Sequence, residues 1–542
     1  MVPVSTLCAS PYSAVLLRSV IMQLSRGNGN KKAGPVVKIL SIFVYASFLG
    51  GRYGNNVRRD MKFRFEHPAS RWRGEGGYRQ LLLVAFPLIL STGSWSIQHF
   101  VDRMFLTWYS PEAVAASMPA GILNFTVLCL FIGTANFTGT FVAQYFGSGN
   151  NERVGPSVWQ GLYLSVIGTA VMLLIMPFSG DIFRVIGHDP LVQRYEAEYF
   201  SVLCLGAFPV IASAALSGFF IGRGKTWPVM WVNVISTAVN LFLDYCMIFG
   251  RFGFPEWGMT GAAVASVAGA AVGFFIYTVL VFRETHDQVF HTIRGWRFDR
   301  ELFSRLMHFG FPSGVQFFLD VAGFTAFILL MGRLGTVSLA ATNIAFNINT
   351  LAFMPMIGIG IAVSSLVGQN VGRGRVDLAE RSVYSGFHVT FIYMAAIASL
   401  YVLVPGLFIE PFARGSDPSR FKEIAGITVT LLKFVAVYSI FDTLNIIFSN
   451  AIKGAGDTRF VMRVLVGFTS MGLVLPAYLV LVVFGKGIYS GWFVATAYVC
   501  IMGIVFFLRF LGGKWKAMKV IEETHPAVPP VMTEAPTAEF DV

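Results

Sequence analysis

Residues 142–150 read VAQYFGSGN, and residues 367–375 read VGQNVGRGR. In each, a glutamine is followed three and five positions later by glycines, so that Gln144, Gly147 and Gly149 fall on Gln369, Gly372 and Gly374 at an offset of 225. The same offset lays Phe86-Pro87 on Phe311-Pro312 and Ala115-Ala116 on Ala340-Ala341. Further along, an offset of 232 places Ser217, Gly222, Gly224, Thr226, Val229 and Met230 on Ser449, Gly454, Gly456, Thr458, Val461 and Met462. The chain is therefore written twice. The difference between the two offsets requires an insertion in the second copy, expected in the connection around 409–423.

Composition names the solvent of this repeated unit. Of 542 residues, 55% are hydrophobic and only 13% charged, with a mean hydropathy of +0.64, against about 25% charged in a soluble domain. Apolar stretches long enough to cross a bilayer, roughly 20 residues each, read at 80–107, 111–145, 156–178, 195–221, 227–250 and 258–282. Six more read at 302–331, 337–368, 382–408, 424–452, 459–484 and 488–511. The expected fold is an all-α integral membrane protein with twelve transmembrane helices in two six-helix lobes related by the internal repeat. A parallel repeat about an axis along the membrane normal puts a substrate path between the halves. The expected organisation is a basic extension (1–77), an amino lobe (78–282), a basic linker (283–301), a carboxy lobe (302–511) and a Pro-rich, disordered tail (512–542).

The formal net charge of +12 is a property of one end. Residues 1–78 hold twelve Lys/Arg against Asp60, Glu66 and Glu75, leaving the rest close to neutral. With no folded basic domain to carry it, this charge does not point to nucleic acid. The apolar run VVKILSIFVYASFLGG (36–51) is short for a span and too far in for an ordinary signal peptide. Its role stays open; one explanation is an over-long start, with Met61 opening a compact basic lead-in to the first helix. The connections on the side of the termini carry Arg153, Arg223, Lys225, Arg294, Arg297, Arg300, Arg373, Arg375, Lys453 and Arg459, more than the opposite side does. By the positive-inside rule both termini face the cytoplasm of a cell inner (plasma) membrane.

Several function classes lose their footing. GFFIGRGKT (218–226) approaches a nucleotide-binding P-loop, but its first glycine is one residue too far and it leaves a membrane helix rather than a strand. No His stands in H-E-x-x-H and no serine nucleophile elbow appears, so no catalytic residue, enzyme chemistry or cofactor is expected. No filter-like loop is repeated, as a channel would need. The cysteines Cys8, Cys129, Cys204, Cys246 and Cys500 have no paired or metal-like spacing and read as packing residues.

Four aspartates lie deep in predicted helices: Asp102, Asp244, Asp320 and Asp442. A carboxylate at the centre of a membrane helix costs roughly 2.5–3.5 kcal/mol on insertion scales. The offsets assign them Phe327, Pro476, Trp95 and Val210 in the other copy. An acid demanded by the shared fold should recur in both copies, so the asymmetry favours function. Each has a polar residue one turn before it, on the same helix face: Gln98, Asn240, Gln316 and Tyr438. His99 stands three residues before Asp102. Desolvation disfavours a charged carboxylate, so such a site takes a proton, a sodium ion or an organic cation in exchange.

At these residues the sequence resembles the multidrug and toxic compound extrusion (MATE) family over about 78–512. The resemblance is carried by FPLILSTGSWSIQHFVDRMFL, VAQYFGSGN, NLFLDYCMIFGRFGFPEWGMTGAA, FPSGVQFFLD and FDTLNIIFSNAIKGAGDTRF. It implies a two-lobed antiporter exporting organic cations or drugs against sodium ions or protons, acting as a monomer among membrane lipids. By the same resemblance, Asp102 is similar to the family's helix 1 acid, and Asn240 with Asp244 to its amino-lobe pair. Asp320 and Asp442 resemble the helix 7 and helix 10 acids of a carboxy-lobe site for a sodium ion. One departure is Asp320 itself, where sodium-coupled members often carry glutamate.

The alternative is a lipid-linked saccharide flippase of the related superfamily. It calls for a strongly cationic cavity, whereas the clearest deep cation in the sequence is Lys433, near a helix end. Trp95, Phe317 and Phe318 are candidates to hold cations on their ring faces. Pro87, Pro209, Pro312 and Pro355 are candidate bending points for lobes that rock about the linker.

Overall fold

A helix satisfies every backbone polar group within itself, so in lipid an apolar stretch of sufficient length folds as a helix whatever it later packs against. The computed structural model describes residues 68–413 and 418–522. Among them, eleven helices are long and apolar enough to span a membrane, and a twelfth is built from two pieces bent by 45°. They are α1 (Tyr78–Tyr109), α2 (Pro111–Ser148), α3 (Asn151–Ile186), α4 (Pro190–Leu205 with Ala207–Gly222), α5 (Trp227–Phe249) and α6 (Gly258–Val281). The second set is α7 (Arg300–Gly332), α8 (Thr336–Gly372), α9 (Val376–Leu403), α10 (Phe421–Ala455), α11 (Thr458–Val483) and α12 (Ile488–Leu511). The segment 36–51 and Met61 lie outside the described residues, as does part of the expected insertion.

Local chemistry sets the helix ends. Ser110 is extended between α1 and α2, and its hydroxyl accepts the Ala113 N–H at 3.0 Å with Pro111 opening the next helix, the preferred start for a helix. Asp189 and Asp299 cap α4 and α7 in the same manner. The repeated glycines have a backbone reason: Gly149, Gly374, Gly224 and Gly456 all take positive φ, between +74° and +112°, where only glycine is unstrained. Of the four candidate bending prolines, Pro87, Pro312 and Pro355 lie inside continuous helices. The marked bend belongs to Pro209, which cannot donate to the Leu205 carbonyl. The break falls at Gly206, where an added Cβ would lie 2.5 Å from Val267 of α6.

The lobes meet by a reciprocal crossing: α2 packs on α7, and their repeat equivalents α8 and α1 pack on each other. At the first crossing a Cβ on Gly133 would lie 2.8 Å from the Cα of Gly314; at the second, a Cβ on Gly358 would lie 2.8 Å from the Ile89 nitrogen. Gly133 and Gly358 are 225 apart, as are Ile89 and Gly314, so one contact is made twice. Thr92 adds a hydrogen bond to the Met354 carbonyl at 3.2 Å. These approaches lie between the middle of the helices and the face where α1 begins and α12 ends, called the terminal face below.

Two segments on that face are more ordered than their composition suggests. Within the linker, the Arg294 and Ile293 amides donate to Asp287 and hold its carboxyl below the usual range. The linker is also tied to α3 through Trp159 Nε1 and the Thr292 carbonyl at 2.7 Å. The expected disorder from 512 onward does not hold through Glu522. Trp515 is fully buried against Phe510, and Val520 and Ile521 are buried as well, because two aromatic rings and two aliphatic side chains outweigh the polar residues between them. Residues beyond 522 lie outside the described residues.

Gly133→Leu and Gly358→Leu should each lower stability by about 1–3 kcal/mol through overpacking, read as a drop in thermal midpoint in detergent. Gly121→Ala, where an added Cβ meets nothing within 4 Å, should leave the midpoint unchanged.

Candidate functional site

The four deep aspartates assemble as two pairs, one in each lobe. In the amino lobe, Asp102 of α1 faces Asp244 of α5. Both are buried, Asp244 completely, and Asn240 one turn before it is also fully buried. The Asn240 amide faces Asp244 and donates to Ser266 of α6 at 3.4 Å. Helix α6 comes this close because Gly269 leaves room, an added Cβ there lying 2.8 Å from that of Asn240. Tyr199 of α4 and Arg103 of α1 stand within electrostatic reach.

The oxygens of this pair are left open. Asp102 Oδ1, both carboxylate oxygens of Asp244 and Asn240 Oδ1 are buried without a hydrogen-bond partner. Unpaired buried acceptors are expensive, and two facing carboxylates cannot both hold full charge. An all-oxygen cluster of this kind suits a shared proton or a hard cation.

In the carboxy lobe, Asp442 of α10 stands within electrostatic reach of Asp320 of α7. Asp320 is half-buried and Asp442 buried. The Gln316 side chain faces Asp320, leaving its own Oε1 buried and unpartnered. Asp442 accepts a hydrogen bond from Asn445 Nδ2 at 2.9 Å. Tyr498 of α12 stands within reach of both acids and is linked to Thr469 at 3.0 Å. Thr469 opens a π-helical turn of α11, a local irregularity often found at functional sites.

Two of the four expected i−4 residues face their acids, Asn240 toward Asp244 and Gln316 toward Asp320. The other two are corrected. Asp102 turns to Asp244 rather than to Gln98, because α5 packs against its face of α1. Asp442 takes Asn445, three residues later, rather than Tyr438, which is buried beside it. His99 does not face Asp102; its ring lies 5.2 Å from Trp95, in a line of rings continued by Phe125 at 5.4 Å and Phe317 at 5.8 Å. That line crosses from the amino lobe to the carboxy lobe just beyond the α2–α7 crossing.

Lys453 is a further correction. The sequence reading places it in a connection and names Lys433 as the deepest cation, but Lys433 is exposed. Lys453 lies inside α10 and acts electrostatically on Asp320. Helix α10 runs three residues past the predicted boundary, to Ala455, and so takes in Lys453. Asn445 was legible from its i+3 spacing; Tyr199, Tyr498 and Lys453 come from other helices or other turns, and no local pattern marks them.

The MatE family profile matches residues 87–246 and 312–479, one block in each lobe. The chain belongs to the MatE family. Its relatives include a protein described as "Probable multidrug resistance protein NorM" from Thermotoga maritima, 26% identical over 82% of this chain and 94% of that protein. One of the same description from Rhodopseudomonas palustris is 29% identical over 74% and 85%. Among solved structures, "Outward-facing conformation of a multidrug resistance MATE family transporter of the MOP superfamily" has a TM-score of 0.73 at 20% identity, over 83% of this chain and 99% of that one. A MOP superfamily transporter from Pyrococcus furiosus gives 0.75 at 20% identity, over 84% and 99%. These structures share the MatE fold with this chain.

Asn445→Ala should leave the Asp442 carboxylate less compensated and so lower the half-saturating sodium or proton concentration for thermal stabilisation of the purified MatE protein by about tenfold, as loss of a hydrogen bond to the charged form does. Tyr438→Phe should change it less than about twofold.

Proposed function

We propose that this MatE protein is a secondary active efflux transporter that exports organic cations or drugs in antiport with protons or sodium ions. The observation that carries the reading is the buried pair Asp102–Asp244 with its unpartnered oxygens. A scaffold has no use for uncompensated acceptors in a low-dielectric interior, whereas a site that must bind and release a cation in each cycle does. The relatives described as multidrug resistance proteins support the efflux direction.

The residues take separable roles. Asp102, Asp244 and Asn240 hold a proton or sodium ion in the amino lobe. Asp320 and Asp442, with Gln316, form a second cation site, and Lys453 supplies a tethered ammonium that neutralises Asp320 when no other cation is present. Arrival of a coupling cation displaces a cationic substrate, because both compete for the same negative charge. The ladder His99–Trp95–Phe125–Phe317 offers ring faces to a planar cation. A flippase of diphosphate-linked lipids is not favoured, since paired acids would repel its anionic headgroup and Lys453 stands within electrostatic reach of Asp320. The positive-inside bias of the connections supports a cytoplasmic terminal face.

The test is transport in sealed vesicles with proton and sodium gradients imposed separately. A cationic dye should move against one of them, and Asp244→Asn and Asp320→Asn should each lower the rate at least about tenfold, by removing charge from a desolvated site. Dye movement indifferent to both gradients would sink the antiport reading.

A further inference from the structure

The glutamines that reveal the repeat are buried where the two lobes meet at the terminal face. Gln144 of α2 donates through Nε2 to the Gly454 carbonyl of α10 at 3.0 Å and to that of Ala455 at 3.4 Å. Gln369 of α8 donates through Nε2 to the Gly222 carbonyl of α4 at 2.8 Å. Each bond runs from one lobe to the other. Gln144 maps onto Gln369 and Gly222 onto Gly454, so the two bonds are copies of one contact. The glycines beside them make it fit: a Cβ on Gly147 would lie 2.1 Å from the Gln369 carbonyl oxygen, and one on Gly372 would lie 2.2 Å from that of Gln144.

The symmetry is broken by the chain beyond α12. The Val520 N–H donates to Gln144 Oε1 at 2.9 Å, and the Val520 carbonyl accepts from Arg305 Nη1 of α7 at 3.2 Å. The Tyr145 hydroxyl donates to Glu522 Oε2 at 2.6 Å. Lys516 bonds Glu380 of α9 at 2.6 Å, and Trp515 is stacked on Phe510 with ring centroids 5.0 Å apart. A segment leaving the carboxy lobe therefore grips the end of α2 in the amino lobe. Gly456 admits it, since a Cβ there would lie 2.8 Å from Val520 Cγ1; the equivalent Gly224 faces Gln369 Nε2 instead.

We propose that Gln144 and Gln369 are paired positioning residues that latch the terminal face shut, and that the segment Trp515–Glu522 is a strap that reinforces the Gln144 half alone. The proposal rests on the reading of the molecule as a transporter whose lobes part alternately on each side. Neither amide can slide gradually off its carbonyl, because a half-broken bond leaves a buried donor unsatisfied. Closed and open are thus discrete states, and the strap biases the balance between them.

Spin labels at Trp108→Cys and Tyr489→Cys, exposed positions on different lobes at the opposite face, read that balance as a distance distribution. The measurement uses the full chain, with native cysteines replaced, in lipid nanodiscs. Gln144→Leu and Gln369→Leu should each raise the short-distance population, in which the opposite face has closed, by roughly fivefold. A chain ending at Lys519 should raise it less, and should add less again in the Gln144→Leu background, where only the Tyr145–Glu522 and Arg305–Val520 contacts remain to be lost. Unchanged distributions in the two glutamine variants, or an equal effect of truncation with and without Gln144, would overturn the proposal. Gln369→Leu touches no strap residue and decides the latch by itself should Gln144→Leu not fold. The distances need no substrate, so dye transport by the parent protein is judged separately. Shifted distances in a protein that moves no dye would sink the transporter reading and leave the latch standing.

Discussion

Two helices in lipid gain no hydrophobic advantage by touching, so their association depends on how closely the backbones can approach. In this protein that approach is made twice, by Gly133 on Gly314 and by Gly358 on Ile89. The crossings hold the lobes together in the half of the bundle near the terminal face. Every other functional feature is placed relative to them: the ring ladder just beyond, the acid pairs inside each lobe, and the glutamine contacts at the far end of the same helices.

The acid pairs follow a different logic from the crossings. Close packing is repeated in both copies because both need it, whereas the acid pairs share only one helix of the repeat: Asp102 lies on α1 and Asp320 on its copy α7, but Asp244 lies on α5 and Asp442 on α10, the copy of α4. The pairs are also chemically unlike. The amino-lobe pair is surrounded by unpartnered oxygens, while the carboxy-lobe pair has an ammonium in reach and one oxygen satisfied by Asn445. On the proposed reading, a cation entering the first site meets four open oxygens with Arg103 within electrostatic reach, and one entering the second competes with Lys453.

The fold was legible in the sequence because its causes are local. Apolar length dictates helices, positive-φ glycines mark their ends, and duplication supplies the arrangement of halves. Half of the side-chain partnerships were legible for the same reason: Asn240–Asp244 and Gln316–Asp320 lie one turn apart on a single helix. Gln98 and Tyr438 had the same spacing, yet their aspartates turned to Asp244 and Asn445. Spacing states which groups can meet, and packing from neighbouring helices chooses among them. The terminal segment through Glu522 is not legible as ordered because it is short and carries four charges, and its large apolar side chains find a pocket only after α2, α7 and α12 have assembled.

The sequence by itself determined the number of spans, their pairing into two copies, and the presence of four acids where lipid-facing helices should have none. Each follows from one-dimensional physics: length against bilayer thickness, repetition, and the expense of burying charge. Tertiary structure alone decided that the acids form two pairs, that Lys453 belongs with Asp320, and that Gln144 and Gln369 reach across to the opposite lobe. Those contacts join residues tens to hundreds of positions apart, and they exist only where backbones cross closely enough for a side chain of a few ångströms to span the gap.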